Sequence, residues 1–159
     1  MPIIHLETII KADMQVVFDL SRSIDFHKFT TEHTKEEAID GVTKGLIGLN
    51  ETVTWRAKHL GFYQVLKSKI TEFDESHSFT DVMVKGIFKS LEHKHIFLKL
   101  EGSVKMIDYF EYVSPLGVLG KMADFIFLKN YLTKFIEKRN QQIKECAESE
   151  CWKSILEYK

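Results

Sequence analysis

Apolar and polar residues alternate with a period of two along much of this chain, and near the C-terminus the period lengthens. In IIHLETIIK (3–11), Ile4, Leu6, Thr8 and Ile10 share one face, and His5, Glu7, Ile9 and Lys11 the other. That pattern predicts a first strand. Asp13 is then placed to cap a short helix, MQVVFDLS, whose apolar side carries Val16, Val17 and Leu20. Ser23 can cap a second, IDFHKF, in which Phe26 and Phe29 are three apart. The polar run TTEHT (30–34) reads as a loop.

From Lys35 to Val113 the pattern is β throughout. The predicted strands are KEEAID (35–40), ETVTWRAK (51–58), FYQVLKSKITEF (62–73), SFTDVMVK (78–85), KSLEHKHIFLKL (89–100) and SVKMIDYFEYV (103–113). Most of the breaks between them are short and carry turn residues, which demands antiparallel neighbours. From Leu116 to Ala147 the apolar positions fall at helical spacing: Val118, Met122, Phe125, Leu132, Ile136, Ile143 and Ala147, widened by Ile126 and Phe135. Such a helix spans roughly 45 Å. It is too apolar on one side to stand alone and must lie across a sheet. The lysines between, such as Lys129, Lys134 and Lys138, suit a solvated face. The fold expected is α+β: a curved antiparallel sheet of about seven strands wrapped around a long C-terminal helix, with two short helices after the first strand. A cavity between sheet and helix is a natural place for a small molecule.

Length narrows this to a single domain over residues 1–159. A net charge of -1 gives no field that would draw nucleic acid or an anionic membrane. The N-terminal MPIIHLETIIKADM lacks the layout of a secretory signal, and no apolar run approaches the roughly eighteen residues of a membrane span. The expectation is a cytoplasmic protein with no nucleic-acid partner and no stable membrane insertion. Twelve Phe against two Pro suggest a core of large side chains, or a cavity walled by them. Cys146 and Cys151 read as reduced thiols without the CxxC or nearby CxH spacing of a zinc site. His93 and His95 could present two metal ligands only with a third from His59 or Asp108, which no spacing requires, so no metal and no other cofactor is expected. In the terminal ESECWKSILEYK, Trp152, Ile155 and Leu156 suggest a second apolar contact, with a homodimer as one way of making it.

Five blocks of sequence carry a resemblance. WRAKHLGFYQ (55–64) is similar to a W-x-A-x-H-x-G-x-x-Q pattern, and KITEFD (69–74), SFTDVMVKGIF (78–88), HKHIF (93–97) and MIDYFEYVSPLG (106–117) follow in order. Together they resemble small bacterial members of the START-like, or SRPBCC, superfamily, also called polyketide cyclase/dehydrase-like. The resemblance implies the helix-grip fold over nearly the whole chain. Gly86-Ile87-Phe88 stands where the pattern has Gly-Pro-Phe, and Glu75 stands in a turn where it has Pro. Members include lipid carriers, hormone receptors and aromatase/cyclases, so the resemblance leaves activity open.

Strand parity sorts the candidate site residues. His93 and His95 are two apart and must point the same way. Trp55 and His59 share a face of their strand; so do Gln64 and Ser68, then Phe79, Asp81 and Met83, and then Met106, Asp108 and Phe110. If the apolar members face inward, His59, Gln64, Asp81, His93, His95 and Asp108 come with them and must bond one another. The apolar wall expected is Trp55, Phe79, Met83, Phe97, Met106, Phe110, Met122 and Phe125. His5, His27, His33 and His77 read as surface residues. Ser68 has no nucleophile elbow, and no phosphate loop or dinucleotide fingerprint occurs.

Three functions fit. The first is a non-catalytic protein that holds a small apolar or aromatic molecule. The second is a cyclase or dehydratase of polyketide-like substrates, in which His93 or His95, poised by Asp108, moves a proton beside a carbonyl. The third is a partner-binding module with a filled interior and an exposed apolar patch.

Overall fold

The computed structural model describes residues 1–115, 117, 122 and 124–156, without the side chains of residues 124 and 125. Strand β1 (Ile3–Ile10) is followed by helices α1 (Met14–Arg22) and α2 (Ile24–Thr30) and a single 3-10 turn, Glu32–Thr34. Strands β2 (Glu37–Gly41), β3 (Thr52–His59), β4 (Phe62–Asp74), β5 (Ser78–Lys85), β6 (Ser90–Leu100) and β7 (Ser103–Val113) come next. A π-turn, Asp124–Leu128, leads into the long helix α3 (Lys129–Ala147), and a short helix α4 (Cys151–Ile155) ends the described chain. The expected start of the long helix, from Leu116 to residue 123, lies largely outside the described residues.

Caps explain the first helices. Asp13 accepts a hydrogen bond from the Gln15 N–H, and Ser23 Oγ one from the Phe26 N–H, so each satisfies a donor its helix leaves unpaired. The seven strands form one curved open antiparallel sheet in the order β1-β7-β6-β5-β4-β3-β2. Hairpins join β3 through β7 in sequence, and β1 returns to pair with β7, Ile3 opposite Glu111 through Ile10 opposite Val104. At the far edge β2 is bulged between Ala38 and Asp40. It ends at Gly41, with φ of 77°, where a Cβ would sit 2.1 Å from the Thr52 carbonyl oxygen.

Helix α1 closes one end of the grip. Phe18 is fully buried and meets Phe73, Phe79 and Phe97 edge-on at 5.3–5.7 Å. Phe97 and Met106, expected on the cavity wall, are instead sealed into this core with Val17, Ile10 and Ile143. They share the inward face with the cavity residues, but α1 occupies their end of the sheet. Leu156 is buried in the same core, with Trp152 and Ile155 packed against it, so the second apolar contact is made within the chain. The end of α3 is tied to β1: Lys144 Nζ donates to the Ile9 carbonyl, and the Lys11 N–H to Glu148 Oε1. No helix of the described residues is long and apolar enough to cross a membrane.

Candidate functional site

Between the concave face of the sheet and α3 lies a cavity of about 380 Å³. Its walls are mainly apolar. From α3 come Leu132, Phe135 and Ile136, at the spacing of one helical face. From the sheet come Val53, Trp55, Ala57, Ile70, Phe79, Leu91 and Phe110. Leu60, Val65, Ile87 and Phe127 also line it yet stay 46–52% exposed, so they mark the mouth.

Of the residues expected at the site, Trp55, His59, Gln64, Phe79, Asp81, His93, His95 and Phe110 line this cavity. Asp108 is fully buried one layer behind the histidines. Met83 packs in a satellite cluster with Leu91, Phe110 and Tyr112. Met122 is 55% exposed, so it is no part of the wall, and Ile126 is equally turned outward at 66%. The side chain of Phe125 lies outside the described residues.

The two histidine rings stand side by side, centroids 3.8 Å apart. His93 Nε2 donates to Asp108 Oδ1 at 2.8 Å. His95 Nδ1 lies 3.0 Å from the same oxygen, an ion-pair contact rather than an aligned hydrogen bond. On its other side His95 Nε2 is 3.6 Å from Asp81 Oδ2. Asn140 Nδ2, from α3, donates to the second Asp108 oxygen at 2.6 Å. Asp108 thus faces two imidazoles and an amide, which is how a carboxylate with no exposed surface is tolerated.

These contacts divide the two rings electrostatically. Burial opposes a charge on both. For His93, burial and the neighbouring His95 prevail over the pull of Asp108 and Asp81, and its pKa falls below the ordinary 6.5. For His95, the same burial is outweighed by Asp108 and Asp81, and its pKa rises. Burial would raise Asp108, but the hydrogen bond from His93 and the close His95 ring hold it well below the usual carboxylate range. The pair is therefore one neutral ring and one ring biased toward the cation, over an ionised carboxylate.

A second polar group, of His27, Glu36, His59 and Tyr131, also lines the cavity. His27, expected at the surface, lies over Trp55 at 4.2 Å between centroids, with its Nε2 3.4 Å from Glu36 Oε1. His59 Nδ1 shares a hydrogen bond of 2.8 Å with the Tyr131 hydroxyl of α3. Burial holds His59 below its ordinary value, against the pull of Glu36.

Arg139 and Asn140 were not among the residues expected at the site. Both are buried on α3, yet they sit in EKRNQQ, which reads as a solvated stretch. Only the helical phase could have found them, since Arg139 follows Leu132 by seven and Ile136 by three. Arg139 lines the cavity, and one of its nitrogens, Nη2, donates to the Ser21 carbonyl at 2.6 Å.

Asp81, His93 and His95 have donor atoms that all lie within 4.8 Å of one another, a spacing a divalent ion could bridge. The Arg139 charge acts on His95 and Asp81 in the same field, and it opposes a second cation there.

The sequence matches no established family profile and no curated protein. Solved structures do match over nearly the full chain. Protein TTHA0849 from Thermus thermophilus superposes with a TM-score of 0.74 at 16% identity, covering 91% of this chain and 95% of that one. A START superfamily protein from Mycobacterium smegmatis gives 0.70 at 12% identity, covering 92% and 97%. The major latex-like protein 151 of Panax ginseng gives 0.66 at 16% identity, covering 93% and 98%. With these neighbours and the sheet order above, the chain has the START-like helix-grip fold.

Proposed function

We propose that this protein binds a small apolar or aromatic molecule in the cavity between sheet and α3, without transforming it. The observation that carries this reading is the cavity itself: about 380 Å³, apolar along its walls, with hydrogen-bonding side chains gathered at defined points. That size lies within the range of small-ligand sites, and a few convergent polar groups are what such sites use to orient a ligand. A partner-binding module with a filled interior fits this hollow poorly. The test is titration with the neutral dye N-phenyl-1-naphthylamine, read by fluorescence. One dye per protein is expected. Ile136→Trp, which fills the space from α3, should abolish binding while the far-ultraviolet circular dichroism stays unchanged. Equal binding by that variant, or none by the wild type, would sink the reading.

One observation favours catalysis as a second reading. His93 donates a hydrogen bond from its Nε2–H to Asp108, is held neutral, and lines the cavity. Its Nδ1 then carries the lone pair of a general base, suited to proton abstraction beside a carbonyl in a cyclase or dehydratase. Asp108 would be the positioning residue. Turnover of a polyketide-like substrate that is lost in His93→Ala, with dye binding kept, would establish this reading over simple binding.

A further inference from the structure

Arg139 is a buried cation that no carboxylate of the described residues contacts directly. It is 8% exposed, and no carboxylate of the described residues lies within 4 Å of its guanidinium. Nη2 is satisfied by the Ser21 carbonyl, whereas Nη1 is buried with no hydrogen-bond partner. Three carboxylates face it from other elements, and each is engaged elsewhere. Asp108 is bonded by His93 and Asn140 and paired with His95; Asp81 is paired with His95; Glu36 is paired with His27. The other arginine of the cavity, Arg22, is by contrast held at 2.8 Å by Asp19. A charge buried without a close counter-charge is strongly disfavoured. A guanidinium is also shaped to receive a planar oxyanion.

The position along α3 is equally specific. Phe127 marks the mouth; Leu132, Phe135 and Ile136 line the middle; Arg139 lies beyond them, against Ser21 of α1. Phe127 sits in the π-turn just before α3, and the ten residue steps of helix from Lys129 to Arg139 span roughly 15 Å at 1.5 Å per residue. A molecule entering tail-outward would place its head at the inner end.

We propose that the ligand is an apolar acid, whose carboxylate docks on the Arg139 guanidinium at the inner end of the cavity while its hydrocarbon body lies along the α3 stripe toward the mouth. This rests on the ligand-binding reading above and names the chemical class that reading leaves open.

The experiment compares decanoic acid with decanol by displacement of N-phenyl-1-naphthylamine, for the wild type and for Arg139→Met. In the wild type the acid should bind about tenfold or more tighter than the alcohol, the worth of one buried charge-assisted hydrogen bond. In Arg139→Met that preference should vanish, acid and alcohol binding alike; Arg139→Lys should keep part of it. Equal affinity of acid and alcohol for the wild type overturns the assignment and leaves the ligand-binding reading intact. So does an acid preference that survives in Arg139→Met. If the wild type binds neither compound nor the dye, both readings fall. Should Arg139→Met not fold, the wild-type comparison alone decides.

Discussion

Asn140 of α3 donates its amide proton to Asp108 of β7 at 2.6 Å, and that bond joins helix to sheet beneath the histidine pair. Asp108 therefore holds the grip together as well as the rings. Asp108→Ala strands two imidazoles and an amide in a buried site. It should cost about 3–5 kcal/mol, the usual loss when one partner of a buried ionic cluster is removed. Urea unfolding measures it, and a loss below about 1 kcal/mol would show that the cluster does not bear on stability.

The pH dependence has two signs. The folded state holds the His95 proton more tightly than the unfolded chain does. Its stabilisation is complete below the ordinary 6.5 and fades as pH rises through the higher folded-state value. His93 works oppositely, because the folded state resists the proton that the unfolded chain accepts as pH falls below 6.5. Asp108 and Asp81 contribute stability above 3.8 that is lost as pH falls toward their lower folded values. Stability should thus fall steeply in acid. Between neutral and mildly alkaline pH, the wild type should lose stability relative to His95→Gln. Urea midpoints across that range test the sign.

Phe97 belongs to the core and not to the cavity. Phe97→Ala should cost about 3–5 kcal/mol, while the dye affinity of the folded fraction changes less than about twofold. A large loss of affinity at unchanged fold would return Phe97 to the binding wall.

Trp55 lies in the cavity wall against His27, whereas Trp152 packs at the C-terminal core. Ligand binding should change tryptophan emission in Trp152→Phe and leave it unchanged in Trp55→Phe. The opposite assignment would place the ligand elsewhere.

The two thiols should separate under alkylation. Cys151 is exposed; Cys146 is buried, and burial together with the neighbouring Cys151 pushes its thiol up to about 12. Iodoacetamide near neutral pH should modify Cys151 alone in the native protein, since the thiolate is the reacting form. Mass spectrometry of tryptic peptides would show it.

The strands were legible because a period of two is a local property: β5 and β7 have the expected bounds, and the other strands shift by one or two residues. Parity also placed His93 and His95 on one inward face. Parity says which side a residue faces and nothing about what covers it, so Phe97 and Met106 could not be told from cavity residues before Phe18 was seen above them. His27 and Glu36 were illegible for a different reason. Their pairing depends on α2 approaching the start of β2, a tertiary event. Arg139 and Asn140 were hidden by polar neighbours on both sides, in a helix whose inward phase is clear only once its seat on the sheet is known.

The pairing of β1 with β7 sets the order in which the molecule can be completed. Hairpins from β3 to β7 can zip between neighbours in sequence, but Ile3 must wait for Glu111. Closing so long a loop delays the last edge of the sheet and slows the search for the native state. Until then Ile4 and Ile10 have no partner strand. During synthesis this stretch would be an exposed sticky end, the segment a chaperone would be expected to shield.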